Sequence, residues 1–305
     1  MSTNAKYDAR YGQETDFHRR FGLHVSEIER RHRLSAKEFR AEYLLAQRPV
    51  ILTGLTDDWP ARNRWTLDSL RKSFGEKVVR VTRTDDDTVV MMPLSEYLDY
   101  LAQPADPRPL YLATWTIGSD NGNAALFHDY QVPEHFRPCW QTRFSWIDPH
   151  WEWLFVGRKG VRLGLHLDTA WSSAWNAVIT GQKEVITYPF AELAKVSAGV
   201  RPLTFVDAFE PDEKRFPDFR EARGLYGELN PGELIFVPSK WIHQFNNVET
   251  GISVSHNWIN QFNWRCCDEW MADEWRAGEG WEALAYRGLL RLLAVIAVLP
   301  GGFMR

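Results

Sequence analysis

Three side chains in the second half of the sequence have the types and the spacing of metal ligands. His166 and Asp168 stand at positions i and i+2 of the alternating stretch RLGLHLD, and His243 follows a Pro-Gly turn and a short apolar run in NPGELIFVPSKWIHQFNN. On a β-strand, positions i and i+2 face the same side, so the first two could bind one ion. Two His and one carboxylate leave three positions open on an octahedral metal, which suits Fe(II), although zinc accepts the same donor types.

Lys183 is the fourth residue that could do chemistry. It begins the predicted strand KEVITYP after the turn TGQ. A lone ammonium group inside a β-barrel is costly unless an anion neutralises it. We therefore expect Lys183 to bind the far carboxylate of a co-substrate that chelates the metal with its other end. The alternative is a solvated lysine at a strand edge, which is the more common environment for lysine.

The elements that must position these residues are mostly strands. From about residue 153, short apolar runs are separated by Gly, Pro and Asn, as in WLFVG, VRLGLHLD, SAWNAVIT, KEVITYP, ELIFVP and GISVSHNW. This pattern is typical of a barrel or a double-sheet jelly roll. The charged stretch from Glu192 to Asn230 is predicted to be an insertion between strands.

The first half of the chain mixes predicted helices and strands. The stretch LSAKEFRAEYLLAQ begins with a capping box of Ser35 and Glu38, and KVVRVTR and DTVVMM flank TDDD as in a hairpin. We therefore predict a mainly β fold with flanking helices around a double-stranded β-helix, a cupin-like jelly-roll core. Residues 1–150 would wrap the core as a mixed α/β part, 151–264 would form the core, and 265–305 a helical segment, all in one structural unit.

Composition limits the classes of protein. The net charge of −4 gives no electrostatic footprint for nucleic acid. Three Cys cannot form a disulfide framework, and the polar start lacks the apolar stretch of a secretory signal, so we expect a cytoplasmic or nuclear protein. The apolar run Gly288 to Leu299 is too short to span a bilayer, which makes membrane contact the less favoured interpretation and a packing or dimerisation helix the favoured one.

Two stretches, HLDTAWSSAWNAVITGQK and GELIFVPSKWIHQFNNVETGISVSHNWIN, resemble the Jumonji C (JmjC) family of Fe(II)- and 2-oxoglutarate-dependent oxygenases. The resemblance covers roughly Pro49 to Trp264. It is strongest to two branches of protein lysyl hydroxylases, one acting on the translation termination factor and one related to the so-called phosphatidylserine receptor. It implies an enzyme that uses Fe(II), 2-oxoglutarate and O₂ to hydroxylate a protein side chain, with lysine as the expected target, and it implies C-terminal helices that can form a homodimer.

The resemblance also assigns roles to individual residues. Asp168, rather than Glu, fits hydroxylases better than histone demethylases. Relatives usually carry Ser or Thr three residues before the first His, where its hydroxyl helps to hold 2-oxoglutarate, and this chain has Leu163; Ser253 or Ser255 could replace that hydroxyl. The implied catalytic iron ligands are His166, Asp168 and His243, and the implied co-substrate contacts are Lys183, Asn176 and Ser255.

One further histidine and two other functions need to be weighed. His256 lies on the opposite face of its strand from Ser255 and is expected to be a packed structural residue. A non-catalytic interaction module with a cupin-like fold would not need the three ligands. A metal-dependent cupin enzyme acting on a small molecule without 2-oxoglutarate would not need Lys183.

Overall fold

Two β-sheets packed face to face form the centre of the structure. The computed structural model describes residues 20–22, 24–103, 106–118, 122–140, 151–199, 203–276 and 281–298. The strands, in chain order, are β1 (Val25–Glu27), β2 (Arg30–His32), β3 (Val50–Thr53), β4 (Val78–Arg83), β5 (Val89–Pro93), β6 (Leu110–Thr116), β7 (Glu152–Gly157), β8 (Ser173–Thr180), β9 (Lys183–Pro189), β10 (Ser197–Ala198), β11 (Thr204–Phe205), β12 (Gly224–Leu229), β13 (Leu234–Val237), β14 (Trp241–Asn247) and β15 (Gly251–Trp258).

Helices flank the strands at both ends of the chain. They are α1 (Ala36–Phe39), which continues as a π-helix over Arg40–Leu44, α2 (Ala61–Arg64), α3 (Leu67–Phe74), α4 (Leu94–Leu101), α5 (Leu193–Val196), α6 (Trp264–Arg276) and α7 (Trp281–Val298). Short 3₁₀ turns lie at Ala124–Asp129, Glu134–Phe136, Thr169–Trp171, Phe190–Glu192 and Phe219–Glu221.

The chain crosses from the large to the small sheet between β8 and β9, remains with the small sheet through β12 after the β10–β11 ribbon, and then alternates between the sheets from β12 to β15, in the manner of a jelly roll. The large sheet has the order β2-β3-β13-β8-β15-β7-β6-β4-β5, the small sheet has the order β1-β12-β9-β14, and β10 and β11 form a separate ribbon. The predicted mainly β fold with flanking helices and a jelly-roll core is therefore confirmed. Strands β3 to β6 continue the same large sheet, and the division at residues 150 and 264 stays a prediction.

Strand β8 shows why the core strands are apolar on both faces. Trp175, Ala177 and Ile179 pack against the helices of the first half of the chain. Val178, between them, packs toward the small sheet with Val185 of β9. Because successive side chains of a strand point to opposite faces, a strand covered on both sides becomes a nearly continuous apolar run.

Two predicted elements differ from the structure. The stretch VRLGLHLD is not a regular strand, since only isolated bridges join Arg162 to Asn246 and His166 to His243. The charged stretch from Glu192 to Asn230 is not wholly an insertion, because it contains β12, which pairs with β9 in the small sheet. The alternation of apolar residues in VRLGLHLD arises because one face of this segment is turned to the core. An extended segment can have such a face without forming a full ladder of hydrogen bonds.

Several local predictions are confirmed. Ser35 and Glu38 form the capping box of α1, and β4 pairs with β5 as a hairpin. The C-terminal apolar run is helical as far as Val298, and Leu299 lies outside the described residues. No helix among the described residues is long and apolar enough to cross a membrane.

Candidate metal centre

His166, Asp168 and His243 come together in the structure. One potential ligand atom from each lies within 4.8 Å of the others. Nε2 of His243 is 3.9 Å from Oδ2 of Asp168, and the two imidazole ring centres are 4.5 Å apart. Such spacing fits donors arranged around a single ion, because bonds of about 2 Å from one metal place its ligands roughly 3–4 Å apart.

The backbone fixes the two histidines against each other. His166 N–H donates to the carbonyl of His243 at 3.1 Å, and His243 N–H donates to the carbonyl of His166 at 2.8 Å. This antiparallel bridge joins a segment outside the regular strands to β14. The backbone therefore fixes the relative position of two residues that are distant in the sequence.

The tautomers of both rings are set by hydrogen bonds to carbonyl oxygens. Nδ1 of His166 donates to Gly164 at 2.8 Å, and Nδ1 of His243 donates to Trp241 at 3.1 Å. Each Nε2 is left as the acceptor that a metal requires, and second-shell bonds of this kind orient metal-binding imidazoles. Burial, and then the neighbouring His243, lowers the pKa of His166 to about 4, so this ring is neutral near pH 7.

A strained turn follows Asp168. Ala170 and Trp171 have φ values of 54° and 46°, a region that non-glycine residues rarely adopt. The ammonium group of Lys240, itself at φ 61°, lies 4.5 Å from the centre of the Trp171 ring and forms an ion pair with Glu269 of α6. Helix α6 thus supports two turns, the one that follows Asp168 and the one that precedes His243.

A cavity of about 190 Å³ opens beside the three residues. It lies between the sheets, and its walls come from β6, β7, β8, β9, β13, β14 and β15 and from the segment 163–169. All six residues that the sequence predicts for the site line it, and they are His166, Asp168, Asn176, Lys183, His243 and Ser255.

Lys183 is buried in this cavity with only 5% of its surface exposed. Its Nζ lies 5.2 Å from the centre of the Phe155 ring and 5.7 Å from that of Phe245. Burial lowers the pKa of Lys183 to about 7, and no ion pair with a carboxylate of the described residues offsets this effect. The predicted alternative, a solvated strand-edge lysine, is wrong.

Tyr111 is a cavity residue that the sequence did not indicate. The Lys183 ammonium donates to its hydroxyl oxygen at 3.3 Å. Tyr111 stands on β6, which reaches the cavity only because β6 pairs with β7. Gly157 of β7 makes room for it, since a Cβ there would lie 2.6 Å from the Tyr111 ring. Sequence alternation in PLYLATW predicts the strand but not which neighbour it pairs with.

The other polar residues of the cavity differ in how they are bonded. Oδ1 of Asn176 is buried without a hydrogen-bond partner among the described residues. The hydroxyl of Ser255 donates to the carbonyl of Trp175 at 2.9 Å. Leu163 lines the wall, whereas Ser253 is fully buried beyond it. Among the described residues, the hydroxyl that accepts a hydrogen bond from Lys183 is that of Tyr111.

His256 lies on the face of β15 away from the cavity, as the alternation of the strand predicts. Its ring packs against Trp175, and Nδ1 is 3.6 Å from Oε1 of Glu152. Burial lowers the pKa of His256 to about 3 and raises that of Glu152 to about 7. Both shifts favour the neutral forms, so the contact is not a strong ion pair.

The residues present fit a metal ion with a bound dicarboxylate. Two imidazole rings, each with Nε2 free of the hydrogen bonds made by Nδ1, and one carboxyl group form the donor set of the facial triad. Within the described part of the chain, the buried ammonium group has no counter-anion and the Asn176 oxygen has no partner, so the first fits a ligand carboxylate and the second fits a donor brought by a ligand or water. The site therefore has places both for an ion and for a molecule that extends from it.

Comparison with known proteins agrees with this geometry. Residues 35–264 match the model of the cupin-like domain family. The chain is 33% identical over 267 residues to lysine-specific demethylase JMJ21 of Arabidopsis thaliana, covering 81% of this chain and 27% of that protein. It is 32% identical over 244 residues to the bifunctional arginine demethylase and lysyl-hydroxylase psr-1 of Caenorhabditis elegans, covering 75% and 60%.

A third relative is less similar in sequence but aligns over a similar length. The 2-oxoglutarate and iron-dependent oxygenase JMJD4 of Gallus gallus is 25% identical over 270 residues, covering 79% of this chain and 61% of that protein. The chain thus spans less than two thirds of the length of each of these relatives. Because the family model covers most of the chain, this protein belongs to the cupin-like domain family, in its JmjC group.

Proposed function

We propose that this chain is an Fe(II)- and 2-oxoglutarate-dependent oxygenase that hydroxylates a protein side chain, with lysine as the target. The observation that carries the proposal is the buried Lys183, which shares one cavity with the His, Asp and His set and has no counter-anion among the residues that the structure describes. When bound, Fe(II), 2-oxoglutarate and O₂ supply the oxidation of a C–H bond, with succinate and CO₂ as co-products.

The positions of Lys183 and His243 suit a molecule with a carboxylate at each end. Lys183 pairs across the sheet with Asn247, four residues beyond His243 on β14. Four residues of strand span about 13 Å. The ammonium group reaches back toward the histidine, because it lies close to Phe245, between those two positions. His166, Asp168 and His243 would hold the iron, and Lys183 with Tyr111 would hold the far carboxylate.

Apolar side chains close the cavity around these polar groups. They are Trp153, Phe155, Val237 and Phe245, together with Leu163 and Ala113. Walls of this kind exclude water, and attraction between charges is stronger where water is excluded. The chain itself thus provides orientation and a sheltered volume for chemistry that the metal and co-substrate carry.

The protein substrate is supported by the names of relatives. One 32% identical relative is called a lysyl-hydroxylase as well as an arginine demethylase, and others are called demethylases. Hydroxylation of a lysine carbon and oxidative demethylation both begin with attack on a C–H bond. We favour lysine hydroxylation because the resemblance of the site segments is strongest to lysyl hydroxylases.

A coupled assay tests the proposal. Purified protein with Fe(II), 2-oxoglutarate and a mixture of lysine-containing peptides should form succinate, and mass spectrometry should find one added oxygen atom on a lysine. His243→Ala should lose both signals, because the remaining two ligands hold iron poorly. A surface histidine variant, His32→Ala, should keep them. A parallel mixture of methylated peptides tests the alternative, because loss of a methyl group there, without added oxygen on the unmethylated peptides, would show a demethylase instead.

We also propose that α7 contributes to a homodimer. Leu290 and Leu293 are buried against α6, whereas Leu292 and Val295 are 56% and 60% exposed. A helix that buries one apolar face and exposes another fits contact with a second subunit. The location in the cytoplasm or nucleus stays a prediction.

A further inference from the structure

A second cavity lies apart from the metal centre. It is a groove of about 770 Å³ whose lining residues are all different from those of the metal cavity. Its walls are α1 with the following π-helix, the turn at Glu134–Phe136 and the segment after β15. We call it the basic groove, and the residues that define it are Lys37, Arg40, His135, Arg137, Gln261 and Phe262.

The charge of the basic groove is opposite to that of the whole chain. Lys37, Arg40 and Arg137 are exposed, and none of them forms an ion pair with another described residue. Glu134 is the one carboxylate in the described lining. A cluster of unpaired cations in a chain of net charge −4 is therefore an attractive surface for an anion.

Arg40 is held in place rather than free in solvent. Its guanidinium carbon lies 4.4 Å from the centre of the Phe262 ring, within the range of a cation–π contact. It also begins the π-helix, in which Leu45 N–H donates to the Arg40 carbonyl at 3.0 Å. Single π-helical turns are rare and are frequently found at functional sites.

Two buried acceptors in the groove lack partners. Nε2 of His135 donates to the carbonyl of Leu34 at 2.7 Å, which leaves Nδ1 as an acceptor because burial lowers the pKa of this ring and keeps it neutral. This Nδ1 and Oε1 of Gln261 are both buried without a hydrogen-bond partner among the described residues. Buried acceptors are normally satisfied, so both fit N–H donors of a bound molecule.

A ligand that matches this surface carries negative charges together with N–H donors. A simple anion supplies the charge but few donors, whereas a peptide with Asp or Glu side chains supplies both. We propose that the basic groove binds an acidic peptide segment of a protein partner, at a site separate from the metal cavity. This proposal goes beyond the proposed function, because it concerns how a partner protein is recognised and not the reaction at the metal centre.

Fluorescence anisotropy with a short labelled peptide of Asp and Ala tests the proposal on the full chain. We expect binding that weakens as salt is added, and a matched peptide of Asn and Ala should bind about tenfold more weakly. Arg40→Glu and Arg137→Glu should each weaken binding of the acidic peptide by about tenfold, since a repulsive charge replaces an attractive one. Arg40→Gln serves as a milder variant if the charge reversal prevents folding.

Two controls separate this site from others. Arg80→Glu changes another exposed arginine, which lies on β4 outside the groove, and should leave binding unchanged. His243→Ala should also bind the peptide normally, so a failure of the oxygenase proposal would not affect this result.

Three outcomes would overturn the proposal. In the first, the Asn peptide binds as tightly as the Asp peptide. In the second, Arg80→Glu weakens binding as much as Arg40→Glu does. In the third, a labelled single-stranded RNA binds more tightly than the peptide and is the ligand sensitive to Arg40→Glu, which would make the groove a nucleic-acid site.

Discussion

Lys183 has a hydroxyl and two aromatic rings around its ammonium group, and these neighbours do not neutralise its charge. A buried charge in this position is stabilised when a ligand brings the opposite charge. We therefore predict that Lys183 links binding of an anionic ligand to the stability of the protein, and two predictions at the scale of single residues depend on it.

Lys183→Ala should raise the 2-oxoglutarate concentration needed for half-maximal turnover about ten- to a hundredfold, the effect of one charged hydrogen bond lost in a pocket. The affinity for a metal ion should change little, because Lys183 is not one of the three ligands. Isothermal titration with Mn(II) and, separately, with 2-oxoglutarate measures both quantities. An unchanged affinity for 2-oxoglutarate would mean that another molecule occupies the cavity.

Lys183→Met should stabilise the protein in the absence of ligand, and more at pH 6 than at pH 9. The pKa falls from 10.5 to about 7 on folding, so the unfolded chain binds more protons between these values. Wild-type stability therefore decreases as the pH falls from 10.5 to about 7, and the methionine variant lacks this loss. The stabilisation by Lys183→Met should therefore be about 2–3 kcal/mol larger at pH 6 than at pH 9. Urea unfolding at both pH values measures it, and equal stabilisation at both would contradict the cause given.

The residue pattern predicted the members of the candidate site better than their surroundings. His166, Asp168, His243 and Lys183 were found from residue type and spacing, and the structure brings them into one cavity. Their roles toward iron and 2-oxoglutarate stay predictions. Tyr111 was missed because its place depends on a pairing between strands that are distant in the sequence, and a tyrosine within an apolar strand has no local feature that marks it.

Strand β7 determines how closely the side chains of Tyr111 and Asn247 can approach it. Gly157 pairs with Gly251 of β15, and a side chain at this position would meet both Tyr111 and Asn247. The absence of a side chain lets the Tyr111 hydroxyl reach Lys183. A position outside the set of three potential ligands thus controls the shape of the cavity around Lys183.

Gly157→Ala should therefore destabilise the protein by about 1–3 kcal/mol and raise the 2-oxoglutarate requirement. The added Cβ would lie 2.4 Å from Nδ2 of Asn247 and 2.6 Å from the Tyr111 ring, so at least one must move. Gly164→Ala is the matched control, since no heavy atom lies within 4 Å of a Cβ there. Urea unfolding and the succinate assay give both readouts, and equal behaviour of the two variants would refute the steric argument.

Elements marked by local turn or cap residues were predicted well, and elements without such a signal were not. The capping box of α1 and the β4–β5 hairpin have local signals in turn and cap residues. The segment around His166 has the alternation of a strand but only isolated bridges. Strand β12 was not predicted, because GLYGEL lies in a charged stretch and contains no β-branched residue.

For the whole molecule, the proposed homodimer would cover the exposed face of α7 that carries Leu292 and Val295. Leu292→Glu and Val295→Glu should convert a dimer into a monomer, because each would place a charge in an apolar contact. Met91→Glu is a control of equal exposure on β5, at 60% exposed, and should leave the mass unchanged. Light scattering after size-exclusion chromatography measures the mass, and a wild-type monomer would show that α7 is not a dimer interface.

The burial of β8 and β15 on both faces has a consequence for amide hydrogen exchange. Nearly every residue of these two strands is buried, and each strand is bonded on both sides within the large sheet. Their amides should exchange with deuterium only through global unfolding, whereas edge strand β5 should exchange through local opening. Asn176 and Ser255 belong to the slow group, while the segment 163–168, which lacks a full ladder, belongs to a faster one. Slower amide exchange of segment 163–168 after a metal is added would therefore report metal binding directly. The amides of β8 and β15, which already exchange slowly, should barely change.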